Sequence, residues 1–146
     1  MRYVECPEIY EKDEESSIYL AGGITNCPDW QQEILKLVEN SNYIILNPRR
    51  KNFPKDDTNA AIDQIFWEYE HLRKADIILF WFPKETIGPI ALYELGAWSM
   101  TRKKIVVGIH SEYTRRVDVE IQTKLARPDV EVVYSLMELK TKLSFI

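Results

Sequence analysis

The sequence is poor in the residues that mark several classes of protein. It has two cysteines, Cys6 and Cys27, which form neither a CxxC pair nor a zinc-ligand set. This low count excludes a disulfide scaffold and favours a reduced compartment, so we expect a cytoplasmic protein. No apolar run approaches the ~20 residues of a membrane span, and the first residues lack the basic-then-apolar order of a signal peptide. We therefore expect no membrane partner.

The chain also has no excess of basic over acidic residues. The chain has 19 Lys and Arg against 23 Asp and Glu, a formal net charge of -4. Without a basic excess, we do not expect binding to a nucleic-acid polymer. Acidic residues are concentrated in residues 1–15, which we interpret as a solvated acidic leader. Residues 16–146 then form one α/β domain, long enough to bury a single core.

Several sequence motifs for cofactors and catalysis are also missing. There is no GxGxxG fingerprint and no P-loop, which disfavours NAD and a P-loop nucleotide site. Neither HxxxH nor GxSxG occurs, so zinc hydrolysis and serine hydrolase chemistry have no support. We expect an enzyme or binding module that uses no cofactor and no metal.

The pattern that is present alternates five short apolar runs with five helical segments. The runs are continuous rather than alternating, which is typical of strands buried on both faces of a parallel sheet. The predicted strands are Ser17–Ala21, Tyr43–Leu46, Ile77–Phe82, Ile105–Ile109 and Glu131–Tyr134. The predicted helices begin at Pro28, near Asn59 and at Pro89, the last of these running to about Arg102, and two more cover 114–126 and 135–144.

This order predicts a single-domain, doubly wound, five-stranded parallel sheet with the flavodoxin-like order 2-1-3-4-5. Ligands of such sheets bind beyond the carboxyl ends of the strands. Four segments follow predicted strands, and we expect them to gather at one edge. They are residues 22–25, 47–50, 83–94 and 110–112.

Glu94 is the most informative residue because its helical neighbours are all apolar. These neighbours are Ile90, Ala91, Ala97 and Trp98. A carboxylate on a buried helix face is costly unless it reaches solvent, pairs with a distant arginine, or serves a site. Glu68 borders the apolar stripe of the preceding helix and alone would be a solvated position. Two carboxylates in one pocket can divide nucleophilic and acid–base roles.

Two further features have both a structural and a functional interpretation. Gly22 and Gly23 close the first predicted strand, either as a tight turn or to allow close approach of a ligand. Arg49 and Arg50 follow the second strand, either in a solvated loop or as an anion site.

Four segments carry a family pattern. Residues 18–24 read YLAG within an apolar strand, residues 67–81 read WE, then L, then ADIILFW, and residues 93–97 read YELGA. Asn47-Pro48-Arg49-Arg50 fits one branch of the same pattern. In this order and spacing, the segments resemble the nucleoside 2-deoxyribosyltransferase-like family over residues 17 to about 110.

The resemblance implies a role for each matching residue. Glu94 would attack C1′ of a 2-deoxyribosyl group and form a covalent intermediate, Tyr19 would position that carboxylate, and Glu68 would contact the base or transfer a proton. The substrate would be a small nucleoside or nucleotide. The expected substrate-binding residues are Gly22, Gly23, Ile24, Asn47, Arg49, Arg50, Gly88 and Asp118.

Three activities remain open at this point. The sugar is transferred to a second base, or to water as in sister hydrolases of 2′-deoxynucleoside 5′-phosphates, or the fold is a non-catalytic nucleotide-binding module. The loop at residues 84–89 lacks the Asp that transferases of the group commonly carry before the nucleophile.

We also predict a homo-oligomer, most simply a dimer, with Asp118 near the seam between subunits. The resemblance implies neighbouring subunits that complete the site. The helices carry more aromatic surface than a small sheet is expected to cover, and exposed apolar patches usually mark interfaces. The residues concerned are Trp30, Trp67, Tyr69, Trp98 and Tyr113.

Overall fold

The computed structural model describes all 146 residues, which form six strands and five helices. The strands are β1 (Arg2–Glu5), β2 (Ser17–Gly22), β3 (Ile44–Asn47), β4 (Ile77–Phe82), β5 (Lys104–Ile109) and β6 (Val132–Val133). The helices are α1 (Trp30–Leu37), α2 (Ala60–Lys74), α3 (Pro89–Ser99), α4 (Arg116–Ala126) and α5 (Leu136–Leu143).

All six strands run parallel in one sheet with the order β1-β3-β2-β4-β5-β6. The five strands from β2 to β6 keep the predicted order 2-1-3-4-5, so the doubly wound α/β class is confirmed. The centre of the sheet is the pair β2 and β4, in which Tyr19 lies opposite Ile78 and Gly22 opposite Trp81. The carboxyl ends of these two strands therefore lie side by side.

The edge strand β1 was not predicted from the sequence. β1 pairs with β3 at the sheet edge, placing Val4 opposite Leu46. Val4 and Tyr10 are fully buried and Cys6 is nearly so. The stretch interpreted as a solvated acidic leader thus contributes a strand and three core side chains, although Met1 and Ile9 remain exposed.

The helices cover both faces of the sheet, as a doubly wound fold requires. α2, α3 and α4 pack on one face, against alternate strand residues such as Tyr19, Phe80 and Phe82. α1 and α5 pack on the other face, against Leu20 and Leu79. Each central strand is therefore buried on both sides, which explains its continuous apolar sequence. None of the helices combines the length and the apolar character needed to cross a membrane.

Helix ends follow local chemistry rather than the apolar pattern alone. α1 begins at Trp30 instead of Pro28, because the Asp29 side chain accepts a hydrogen bond from the Gln32 backbone N–H and caps the helix. α3 begins as predicted at Pro89, after Gly88 in the left-handed conformation. It ends at Ser99, three residues before the predicted Arg102.

The aromatic residues are better covered than the sequence analysis expected. Trp30, Trp67 and Tyr113 are buried, and Trp98 is half-buried, whereas Tyr69 is exposed. β1 and the segment after it cover part of this aromatic surface, because the Glu8 carbonyl accepts a hydrogen bond from Trp67 Nε1 at 2.7 Å. That argument for an oligomer therefore no longer holds for most of these side chains.

A buried histidine fixes the N-terminal segment, residues 1–14, to α2. His71 stacks on Trp67, with ring centroids 3.8 Å apart. Its Nδ1–H faces the Trp67 carbonyl at 2.7 Å, and its Nε2 accepts the Tyr10 backbone N–H at 3.0 Å. Nε2 can accept only when the imidazole is neutral. Burial lowers the pKa of His71 in agreement with this arrangement.

We predict that His71→Gln weakens the acid sensitivity of folding. The unfolded state takes up a proton on His71 near pH 6.5 and the folded state resists it, so the wild type loses stability as pH falls below that value. Gln keeps an acceptor for Tyr10 but does not titrate. Chemical denaturation from pH 7.5 to 5 should show a wild-type loss of up to about 1.4 kcal/mol per pH unit beyond that of the variant. Parallel curves would contradict this assignment.

Candidate active site

A cleft of about 410 Å³ opens at the carboxyl ends of β2 and β4. It is lined by Tyr19, residues 21–25, Pro48, Glu68, Thr86, residues 88–91 and Glu94. Three of the four segments expected at this edge contribute to it. The fourth, residues 110–112, does not line the cleft but joins the same edge, where Glu112 accepts from Lys84 Nζ at 2.8 Å.

Glu68 and Glu94 meet in this cleft, as the paired-carboxylate hypothesis required. Glu68 comes from the middle of α2 and Glu94 from the second turn of α3, and both are half-buried. Burial, and then the nearby Glu68 carboxylate, raise the pKa of Glu94 to about 8. Burial also raises the pKa of Glu68. Because two like charges share a partly dry site, the pair retains a proton near neutral pH.

Tyr19 lies in the wall of the same cleft and is almost fully buried. β2 holds its ring against Trp67 of α2, with centroids 6.2 Å apart. Burial, followed by the charges of Glu68 and Glu94, raises the pKa of Tyr19 well above its ordinary value. The side chain is therefore a neutral phenol, able to donate a hydrogen bond toward a carboxylate or a ligand.

Glycines form the floor of the cleft because nothing larger fits between its strands. A Cβ on Gly22 would lie 2.2 Å from the Trp81 carbonyl oxygen, and one on Gly23 would lie 2.5 Å from Thr86 Cγ2. Gly88, with φ of 60°, also borders the cleft. Ile24 completes this part of the lining. The tight-turn interpretation of the glycine pair is thus supported, and the same residues face the space available to a ligand.

Three predicted binding residues after β3 lie outside the cleft. Asn47 is buried and donates to the Tyr3 hydroxyl at 2.9 Å. The Arg49 guanidinium donates to the carbonyls of Pro28 and Cys27 and to Gln31 Oε1, so it ties this loop to the start of α1. Arg50 lies over the Phe53 ring.

Asp118 is also separate from the cleft. It lines a different groove, between α3 and α4, and pairs with Arg115 at 3.1 Å.

Sequence reasoning missed Gln64, which touches the site through Glu68. Its Nε2 donates to Glu68 Oε1 at 2.8 Å and to the Pro48 carbonyl at 2.7 Å. The signal was available, because Gln64 precedes Glu68 by four residues on a predicted helix and such pairs share a face.

The charge of the cleft restricts the chemistry it can support. Its lining contains two carboxylates and no Lys, Arg or His. Nowhere in the structure do three or more His, Cys, Asp or Glu side chains form a group able to hold a metal ion. Unpaired carboxylates stabilise positive charge that develops on a neutral ligand, which is the situation at a sugar carbon that loses its leaving group.

Comparison with protein families agrees with this geometry. A family model described as nucleoside 2-deoxyribosyltransferase like matches residues 15–113. The chain belongs to this family. The matched residues run from the start of β2 to beyond β5 and include every residue of the cleft lining. A search of curated proteins found no significant match. The sequence resemblance is therefore confirmed at the level of the family.

We predict that Glu94→Gln stabilises the folded protein more strongly as pH rises. In the unfolded state Glu94 ionises near pH 4.5, whereas in the folded state its pKa is about 8. The wild type therefore loses stability between these two values, and the variant has no carboxyl group to ionise. Melting temperatures of both proteins should diverge from pH 5 to pH 8. The exposed Glu70→Gln on α2 is the matched control and should follow the wild type; a constant offset for Glu94→Gln would refute the prediction.

Proposed function

We propose that this protein cleaves the N-glycosidic bond of 2′-deoxynucleosides through a covalent deoxyribosyl intermediate on Glu94, and transfers the sugar to a second nucleobase. The observation that carries this proposal is the meeting of Glu68 and Glu94 in one cleft free of cationic side chains. The family membership supports the same chemistry.

The proposed first step breaks the bond between C1′ and the base nitrogen. A Glu94 oxygen supplies the electron pair for the new C1′–O bond, while the base leaves with the electrons of the old bond and takes a proton from Glu68. In the second step a nitrogen of the incoming base attacks C1′, Glu94 leaves as a carboxylate, and Glu68 recovers the proton. The phenol of Tyr19 orients the reacting carboxylate. The carboxylate pair begins with one proton, which lies on Glu94 in the free protein and has to pass to Glu68 before Glu94 attacks.

An unphosphorylated nucleoside is the substrate that the cleft favours. A 5′-phosphate usually requires Arg, Lys or a set of backbone N–H donors. No basic side chain lines the cleft, Arg49 is already held by carbonyl groups and by Gln31, and Arg50 lies over the Phe53 ring outside the cleft. The alternative activities are hydrolysis of the 5′-phosphates and non-catalytic binding.

We predict that Glu94→Gln loses at least about 10³-fold in kcat on deoxynucleosides, because an amide cannot act as an anionic nucleophile. Purified protein incubated with deoxyinosine or thymidine and a second free base, followed by chromatography, should yield a new nucleoside. Free base with no new nucleoside would indicate hydrolysis instead. Glu70→Gln should retain full activity, and near-wild-type turnover by a folded Glu94→Gln would exclude the mechanism.

We also propose that the protein forms a homodimer through the outer surface of α2 and α3. α3 carries apolar residues on all sides, which is typical of a helix that is covered on all sides. Its outward stripe includes Tyr93, 77% exposed, and is followed by Met100, 81% exposed. On α2, which covers the same sheet face, Phe66 and Tyr69 are 65% and 60% exposed.

The exposed area of this surface suits a dimer. At 150–250 Å² for each aromatic side chain, Phe66, Tyr69 and Tyr93 leave on the order of 400 Å² in contact with water. Four exposed aliphatic side chains extend it toward the roughly 800 Å² per partner of a stable interface. They are Ile62, Ile65, Ile90 and Met100. Because Ile90 also lines the cleft, a partner seated here would narrow its mouth.

We predict a species of twice 17.2 kDa in sedimentation at micromolar concentration. Tyr93→Glu places a charge on the apolar surface at its most exposed aromatic residue and should yield a 17.2 kDa species. Tyr134→Glu, at an exposed position outside α2 and α3, should remain dimeric. A wild type that sediments as 17.2 kDa would exclude the dimer.

A further inference from the structure

Gln64 occupies a position between the cleft and the N-terminal segment. Besides its bonds to Glu68 and the Pro48 carbonyl, its Oε1 accepts the Cys6 thiol at 3.0 Å. Three groups from three parts of the chain therefore meet one amide: Cys6 after β1, Pro48 after β3, and Glu68 on α2 itself.

These partners fix the orientation of the amide. A carboxylate and a backbone carbonyl only accept hydrogen bonds, so the NH2 group of Gln64 must face Glu68 and Pro48. The oxygen then faces Cys6, which has to supply a hydrogen. Burial raises the pKa of the Cys6 thiol to about 11, and the group is therefore protonated and able to donate. The chain of donors runs from Cys6 through Gln64 to Glu68.

The N-terminal segment, which contacts Gln64 through Cys6, lies outside the part of the chain that matches the family. The match begins at residue 15, whereas Cys6 and its neighbours precede it. The same segment is attached to inward positions of α2 at three further points. The Glu8 carbonyl accepts from Trp67, the Tyr10 N–H donates to His71, and the Tyr10 carbonyl accepts from Lys74 Nζ at 2.9 Å.

We propose that Gln64 is a positioning residue for Glu68, and that the N-terminal segment holds Gln64 in place through Cys6. This inference rests on the proposed function, in which Glu68 exchanges a proton with the base. The Gln64 amide holds Glu68 Oε1 by a hydrogen bond along α2 and leaves Oε2 free for the cleft. Its hydrogen bond to the Glu68 carboxylate also makes Glu68 the stronger acid of the pair, so that a proton passed from Glu94 is released readily to the departing base.

The effect of losing the amide follows from this arrangement. Gln64→Met keeps the length of the side chain but donates no hydrogen bond. Without the donor the Glu68 carboxylate is harder to ionise, and the lower of the two pKa values of the pair should rise by about one pH unit. The upper value should change little, because Glu68 is already ionised in that step.

The test measures kcat and KM across pH 4 to 10 for wild type, Gln64→Met and Gln32→Met. Gln32 is exposed on α1, on the opposite face of the sheet, and serves as the matched control. We expect Gln64→Met to lose about tenfold in kcat with KM within twofold, and to shift the acid limb upward by about one pH unit. A folded variant whose pH profile matches that of the wild type would overturn the proposal.

A second measurement separates this proposal from the proposed function. Carboxyl titration by NMR with ¹³C-labelled glutamate, assigned with Glu68→Gln, needs no substrate. An upward shift of the Glu68 resonance midpoint in Gln64→Met supports the role of the amide even if no N-glycosidic activity is found. An unchanged midpoint in an active enzyme overturns the positioning role and leaves the proposed function standing.

Variants of Cys6 test the outer part of the chain of donors. Cys6→Ser keeps a donor for Gln64 Oε1 and should resemble the wild type in its pH profile. Cys6→Ala removes the donor and should reproduce part of the shift seen in Gln64→Met. If both variants match the wild type, the N-terminal segment does not act through Cys6.

Discussion

The cost of placing two carboxylates in one partly dry cleft governs the rest of this structure. Neither Glu68 nor Glu94 has a cationic partner in the cleft, and burial, followed by the charge of Glu68, raises the pKa of Glu94 to about 8. Such a pair costs stability at high pH, and the surrounding structure has to bear that cost. The core around the six parallel strands provides the support, and the buried, neutral phenol of Tyr19 lines the cleft together with the two acids.

The central fold was predictable because its signals are local and repeated. Continuous apolar runs identified β2 to β6, and the apolar neighbours of Glu94 marked it as unusual before any geometry was known. β1 escaped because it has four residues, lies at an edge, and buries only Val4 completely. A strand defined by so few side chains has no periodicity to detect, and its place depends on pairing with β3.

The candidate site was only partly predictable, because a residue's position after a strand does not decide where its side chain points. Glu68, Glu94, Tyr19 and the glycines converge as expected. Arg49 follows β3, where a residue that binds phosphate is expected. Its guanidinium instead donates to the carbonyl groups of Cys27 and Pro28, just before α1. Gln64 shows the opposite case. Its spacing of four residues from Glu68 is visible in the sequence, but its bonds to Cys6 and the Pro48 carbonyl depend on contacts between distant parts of the chain.

The glycine floor has a consequence for how this site can diversify. At Gly22 the neighbouring backbone leaves no space for any side chain, because even a methyl group would meet the Trp81 carbonyl. The choice of ligand therefore cannot change through substitution of Gly22. It has to change at the rim, through Thr25, Thr86 and Ile90, where side chains vary without moving a strand. A ligand in this cleft would keep one fixed position above the glycines, while changes at the rim alter which ligands fit.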